Sequence, residues 1–486
     1  MYYRLKPEYK LRGWDRLPFA LYDSKKVWVH FFMEPEFNAL SLCTGDQDID
    51  SASSETKECI AKLLKQGFIE ECAKGESIAD DQHYFFYNSR FMRRVSWSIT
   101  GRCNCKCRHC YLSAGDGRYG ELSREEIFSI IDGLAECGVY RCSLTGGEPL
   151  IRKDFLEIVD RLTEKGIFLE QLYSNGLLFN EALVNALEER GLRPEIHFSF
   201  DGIGFHDWIR GVDGAEEKVR RALTLCRERG FQTGVQMTIF KDNVHVLRDS
   251  INYLASVGVQ SIKLGPISDT GAWREGGYQK DHGLTREETY RIVYEYLEDF
   301  YKELPHTYVQ MAGYFSADGR KPDEYSIPVV RVFKDPENSC LCGHARNAMY
   351  ISPEGRAIPC MPIANMEEFA KEYPLIQETG VKSCLSDSLY MKLVTTKAKE
   401  VLSHNAKCRD CSWRRLCLGG CRAVGMECHP GDVLAPDESS CDFYEQGWLE
   451  KIESRIKELR PTAEFLERKA LRELGREDEL PELRTN

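Results

Sequence analysis

The chain has 486 residues, of which 42% are hydrophobic and 29% charged, and a formal net charge of −12. That length predicts about two to four domains, and the acidic balance argues against a nucleic-acid partner. No apolar run reaches the length of a membrane span, and the N-terminus lacks a signal-peptide core. Twenty cysteines without a secretion signal point to a reducing, cytoplasmic setting and to metal ligation instead of disulfides.

Residues 19–23 and 27–32 flank Ser24-Lys25-Lys26 and read as a hairpin. Residues 35–43 read as a helix with proline in its first turn. Residues 54–66 read as a second helix, with Ile60, Leu63 and Leu64 inward and Gly67 as its stop, before a short strand at Phe68-Ile69. Together they predict a small winged-helix-like α+β domain over 1–90. From 91 to 310 helices end at glycines (Gly138, Gly166, Gly191, Gly230, Gly258) and short β-rich runs follow. Residues 95–100, 139–145, 167–173, 195–200, 233–240 and 261–264 are the six expected strands, hence a parallel α/β sheet with right-handed crossovers. Ser123 and Glu126 form a capping box at the start of one helix, and residues 285–304 read as another. A loop-rich bridge over 311–339 leads to a cysteine-dense module over 340–445. Charged helices over 446–486, broken at Pro461, carry Trp448, Ile452, Ile456 and Leu459 on one face.

The most informative segment is Cys103, Cys107 and Cys110, a CxxxCxxC loop just after the first strand of the series. A four-iron cluster wants four thiolates, so this loop leaves one iron open to a small molecule. A zinc or redox loop is the other reading of such cysteines. Cys105 is a fourth thiol inside the loop. About forty residues on, Gly146-Gly147-Glu148-Pro149 closes the next strand, with glycines that permit close backbone approach and a carboxylate able to accept from an ammonium. Later strand ends carry Tyr173-Ser174-Asn175-Gly176 and Ser199-Phe200-Asp201-Gly202. In the C-terminal module, Cys342-x12-Gly355-x4-Cys360 precedes Cys408-x2-Cys411-x5-Cys417-x3-Cys421, with nineteen residues between Cys421 and Cys441. Cys43, Cys59, Cys72, Cys137, Cys142 and Cys226 read as ordinary buried cysteines.

On these motifs the chain resembles the radical S-adenosylmethionine (SAM) superfamily. The resemblance implies a partial (β/α)6 TIM-like barrel, a SAM-binding [4Fe-4S] cluster on Cys103, Cys107 and Cys110, and chemistry at the C-terminal ends of the strands. It also implies that Gly146, Gly147 and Glu148 receive the methionine amino group. Ser174 and Ser199 would then lie near the ribose and carboxylate, Arg210 would pair with the carboxylate, and His109 would stack near adenine. A reduced cluster then cleaves SAM to a 5′-deoxyadenosyl radical that abstracts hydrogen from an unactivated C–H bond. The C-terminal cysteines resemble a SPASM domain with two auxiliary [4Fe-4S] clusters: Cys408, Cys411, Cys417 and Cys441 for one, Cys342, Cys360 and Cys421 for the other. Cys340 is the candidate fourth ligand of the latter, the alternative being an open iron that binds substrate or a small thiol, and Cys384 and Cys428 are weaker candidates. Residues 1–90 resemble a PqqD-like element, which implies a precursor peptide held by its leader as an added strand; a generic barrel cap is the alternative. The implied activity is a peptide crosslink (thioether, C–C or C–O), with flavodoxin or ferredoxin as reductant. Maturation of a heme-like or quinone cofactor, or of a protein active site as in sulfatase maturation, is the enzymatic alternative. An iron–sulfur electron carrier is the non-enzymatic one. No residue is singled out as the proton acceptor.

Overall fold

The computed structural model describes residues 1–386 and 388–461. The second of the expected C-terminal charged helices lies outside the described residues. In the N-terminal region β1 (Tyr2–Leu5) pairs antiparallel with β5 (Ile69–Cys72). A second sheet has the order β4-β3-β2-β6, formed by β2 (Tyr9–Asp15), β3 (Leu17–Asp23), β4 (Trp28–Phe31) and β6 (Phe85–Arg90). The expected hairpin is β3–β4, and the expected helices are Glu34–Leu42 and Ser54–Gln66. Ser53 caps the second helix through its hydroxyl, and Gly67 stops it with φ +80°. Their apolar faces (Phe37, Leu40, Ile60, Leu63) bury against Leu5, Leu11 and Leu21. This leaves the outer edge of β4 without a neighbouring strand among the described residues.

The large sheet contains the six expected strands, β7 (Arg94–Ser98), β8 (Arg141–Thr145), β9 (Phe168–Ser174), β10 (Glu195–Ser199), β11 (Thr233–Ile239) and β12 (Ser261–Pro266). They are parallel neighbours in that order. All five helix-ending glycines have positive φ, from 68° to 87°, the left-handed cap that lets each helix turn back into the sheet. Helix-facing residues such as Val95, Leu144, Leu172, Phe198, Val235 and Ile262 form the main core.

The sheet is wider than the sequence predicts. β13 (Tyr308–Met311) continues it in parallel after the helix Arg286–Glu303, and β14 (Phe315–Asp318) and β15 (Tyr325–Ser326) extend it antiparallel. Part of the segment read as a loop-rich bridge is therefore sheet. At the opposite edge β16 (Ala348–Ile351) pairs in parallel with β7, and β17 (Ala357–Ile358) folds back on it. The C-terminal helix Trp448–Leu459 packs on Arg286–Glu303, burying Trp448, Ile452 and Ile456. The N-terminal region docks at the strand-start end: Trp14 Nε1 and Ser89 Oγ both donate to Cys137 O, at 3.0 and 3.1 Å, and Arg141 Nε donates to Val27 O at 2.8 Å.

Candidate active site

The cysteine loop leaves β7 and is tied down on both sides by backbone bonds. Gly147 N donates to Thr100 O at 2.8 Å and Glu148 N to Arg102 O at 2.9 Å. A Cβ at Gly147 would lie 2.1 Å from Arg102 O, and one at Gly146 would lie 2.7 Å from Thr100 O. In this structure the paired glycines therefore admit the backbone of the cysteine loop itself. On the other flank Lys106 N donates to Arg210 O, Arg108 N to Ile209 O and Ala272 N to Cys110 O. The loop is thus held across the ends of several strands before any ligand is considered.

Its thiols find polar partners. Cys103 Sγ accepts from Cys105 N at 3.4 Å and from Asn175 Nδ2 at 3.6 Å. Cys107 Sγ faces Arg210 Nη1 at 3.8 Å, and Cys110 Sγ accepts from Ala114 N at 3.4 Å. Donation from the Cys105 thiol, with the Arg210 guanidinium behind it, brings Cys107 down to about 6 against the effect of burial. Burial pushes Cys110 up to about 11. Cys105 is only 2% exposed, whereas Cys103, Cys107 and Cys110 are half-buried, the exposure that a shared ligand needs. His109 Nδ1 and Ser113 Oγ are buried in the same loop without hydrogen-bond partners among the described residues.

Glu148 is fully buried. Its Oε2 accepts from Asn175 N at 2.7 Å, and its Oε1 accepts from Ser174 Oγ at 3.1 Å and Leu150 N at 3.2 Å. Burial raises it to about 7, and no cation pairs with it among the described residues. It is close enough to Cys103 to oppose ionisation of that thiol. A buried carboxylate without a cation, beside three half-buried thiols and an orphaned imidazole nitrogen, fits a ligand that brings an ammonium and an open-iron partner.

Ser174 and Arg210 sit at the site but are engaged by protein groups. The Ser174 hydroxyl donates to Glu148 and accepts from Gly176 N at 3.0 Å. Arg210 Nε donates to Asp201 Oδ2 at 2.7 Å. Asp201, wholly buried, also accepts from Thr238 N and Thr238 Oγ1 at 2.9 and 2.7 Å. Against the cost of burial, Arg210 and His206 hold Asp201 well below the usual carboxylate range. Ser199 ends β10 half-buried, with no side-chain hydrogen bond among the described residues. Sequence reasoning missed Asn175, whose Nδ2 also donates to Asn104 Oδ1 at 2.6 Å, clamping the loop to the end of β9. The signal was its place within the Ser174-Asn175-Gly176 turn.

In the C-terminal module Cys408, Cys411, Cys417 and Cys441 line one cavity with Leu402, Trp413 and Tyr444. Cys342 and Cys421 are both near enough to Cys360 to oppose its ionisation. Cys340 points to other company: its Sγ accepts from Lys397 Nζ at 3.3 Å, and its backbone bridges Lys397. Cys384 contacts Thr379 Oγ1 and Cys428 contacts Arg286, at 3.4 and 3.3 Å. Arg331 links the two cysteine groups, its amide donating to Leu416 O and its guanidinium to Leu341 O. Among the described residues no three side chains already stand at metal-binding spacing. Because Ala348 pairs with Arg94, Cys342 lies at the strand-start end of the barrel and Cys103 at the finish. The strand between them is about 13 Å long.

Residues 97–254 match the Radical SAM superfamily. The chain is 29% identical over 353 residues to the Fe-coproporphyrin III synthase of Methanosarcina barkeri, covering 71% of this chain and 86% of that protein. It is 27% identical over 327 residues to the PqqA peptide cyclase of Granulibacter bethesdensis, covering 67% and 80%. The structure of Streptococcus suis SuiB bound to its precursor peptide SuiA superimposes with a TM-score of 0.60 at 15% identity, covering 90% of this chain and 99% of that one, which shows a shared fold. Among the described residues no helix is long and apolar enough to cross a membrane. With the CxxxCxxC loop and the GGEP turn bonded together at the strand ends of a partial barrel, residues 97–254 form a radical SAM domain and the protein is an enzyme.

Proposed function

We propose that the protein is a cytoplasmic radical SAM/SPASM maturase that crosslinks a ribosomally made precursor peptide, whose leader is held by residues 1–90. The observation that carries the peptide reading is the open β4 edge. It presents Trp28 and Phe31, 40% and 47% exposed, next to Met33, on a domain docked at the barrel. Unpaired backbone groups on an edge strand with apolar neighbours are what an added peptide strand needs.

Cys103, Cys107 and Cys110 would hold the SAM-binding cluster, and the bound pair supplies a carbon-centred radical that takes hydrogen from the substrate. Glu148 would receive the ammonium of SAM. Ser174 orients Glu148, and Arg210, fixed by Asp201, keeps a positive charge over Cys107. Ser199, with its free hydroxyl, faces the remaining polar part of the ligand. Cys408, Cys411, Cys417 and Cys441 would hold one auxiliary cluster, and Cys342, Cys360 and Cys421 the other. Cys340, turned to Lys397, is its candidate fourth ligand. A flavodoxin or ferredoxin would deliver the electron.

The similarity to an Fe-coproporphyrin III synthase supports a second reading, a porphyrin-type small molecule in the same barrel. The full chain and a Trp28→Glu/Phe31→Glu variant separate the two. A fluorescent leader peptide encoded beside the gene should bind the native chain, and the variant should bind it at least about tenfold more weakly by anisotropy, with uncoupled SAM cleavage intact in both. Failure of every neighbouring peptide to bind would favour the small molecule.

A further inference from the structure

The barrel lumen contains a cation with no protein counter-charge among the described residues. Along β10 to β13 the helix-facing residues Ile196, Phe198, Val235, Ile262, Leu264 and Val309 are buried and apolar. By strand alternation their neighbours face the lumen. Register puts Ser199 beside Gln236, Gln236 beside Lys263, and Lys263 beside Gln310, one polar row across four strands.

The lumen's carboxylates already have partners. Glu170 pairs with Arg94 at 3.3 Å and with Arg141. Glu195 pairs with His197 Nε2 at 3.1 Å and accepts from Gln171 Nε2 at 3.0 Å. The His197 ring stacks on Tyr173 at 4.6 Å and fills the slot left by Gly234, where a Cβ would lie 2.4 Å from it. Lys263 differs: among the described residues it makes no ion pair or side-chain hydrogen bond, and it is exposed although it points inward. Tyr308, 39% exposed, lies on the same face, paired with Ser261 two residues before Lys263. His344 lies within electrostatic range of both Lys263 on β12 and Arg94 on β7.

We infer that Gln236, Lys263 and Gln310 form a subsite for a substrate carboxylate. The ammonium supplies the counter-charge, the amides of Gln310 and of Gln236 (whose Nε2 also lies 3.5 Å from His197 Nδ1) donate to the remaining lone pairs, and the Tyr308 ring packs on the adjoining carbon atoms. The carboxylate belongs to an acidic peptide side chain or to a small-molecule acid such as a porphyrin propionate. The subsite rests on the reading that the substrate enters the lumen, and holds for either source.

The test uses the full chain with its clusters loaded, alongside Lys263→Met and Lys263→Arg. Calorimetric titration compares Ac-Ala-Glu-Ala-NH2, Ac-Ala-Gln-Ala-NH2 and coproporphyrin III. An anionic probe should bind the native chain and Lys263→Arg about tenfold more tightly than Lys263→Met. Uncoupled SAM cleavage should stay unchanged in both variants, showing an intact fold. Lys263-dependent binding of the glutamate peptide over the glutamine peptide identifies a peptide carboxylate. Lys263-dependent binding of coproporphyrin alone supports the subsite while overturning the peptide reading. Absence of binding by both anionic probes, or equal binding to the native chain and Lys263→Met, would overturn the subsite.

Discussion

The cysteine loop of the barrel and the cysteine module of the C-terminal region place their thiols in different surroundings. In the barrel the thiols sit among amides, a guanidinium and a buried carboxylate: Asn175 on Cys103, Arg210 on Cys107, and Glu148 beneath. In the module Cys408, Cys411, Cys417 and Cys441 share a cavity with Leu402, Trp413 and Tyr444 and also with Lys407, Arg414 and Glu445, and burial pushes Cys417 up to about 12 and Cys441 up to about 11. Polar groups that the protein does not fully use mark a place built for a further ligand. The four module thiols instead line one cavity together, where burial is the largest effect on Cys417 and Cys441. What sets the barrel loop apart is not its cysteine spacing but its neighbour Glu148, a fully buried carboxylate with no paired cation among the described residues.

The largest way to break this contrast is Arg210→Met. It strands the fully buried Asp201 without its main counter-charge, and should cost about 3 kcal/mol or more of stability in chemical denaturation. A change under about 1 kcal/mol would show that the charged wiring of the barrel site is incidental. Next is Gly147→Ala, which drives a methyl group into Arg102 O. We expect a loss of about 2 kcal/mol and weaker SAM binding, whereas alanine at Gly343 in the module meets nothing and should be nearly neutral. The smallest effect is on pH dependence. With Glu148 at about 7, its share of stability is fully present below the ordinary glutamate range and is lost as pH rises through about 7. An ammonium at the site reverses that balance, so SAM should bind about five- to tenfold more tightly at pH 7.5 than at pH 6. Glu148→Gln should flatten this dependence, which calorimetry can measure.

The parallel strands and their helices were legible because each carries its own punctuation: a capping box at Ser123, a glycine stop at Gly138, an apolar run between. The strands that were missed lack such local signals. β1 is held by β5 more than sixty residues away, β16 by β7 about 250 residues away, and four-residue β13 by pairing with β12. At the site the motifs were readable, but their wiring was not. Nothing in Gly146-Gly147 shows that the close backbone neighbour is Arg102, and nothing in Ser174-Asn175 shows that the asparagine reaches Cys103 while the serine turns to Glu148. Those assignments depend on strand order, which brings together loops separated by forty to seventy residues.

The most direct test is to load Cys103→Ala/Cys107→Ala/Cys110→Ala anaerobically with iron and sulfide, then record its Mössbauer spectrum together with 5′-deoxyadenosine formation. The expected result is no SAM cleavage and about eight irons retained by the module, with Cys105→Ala keeping both the full iron content and the activity. SAM cleavage by the triple variant, or loss of the module's iron along with the loop's, would contradict the division of labour between the two cysteine regions.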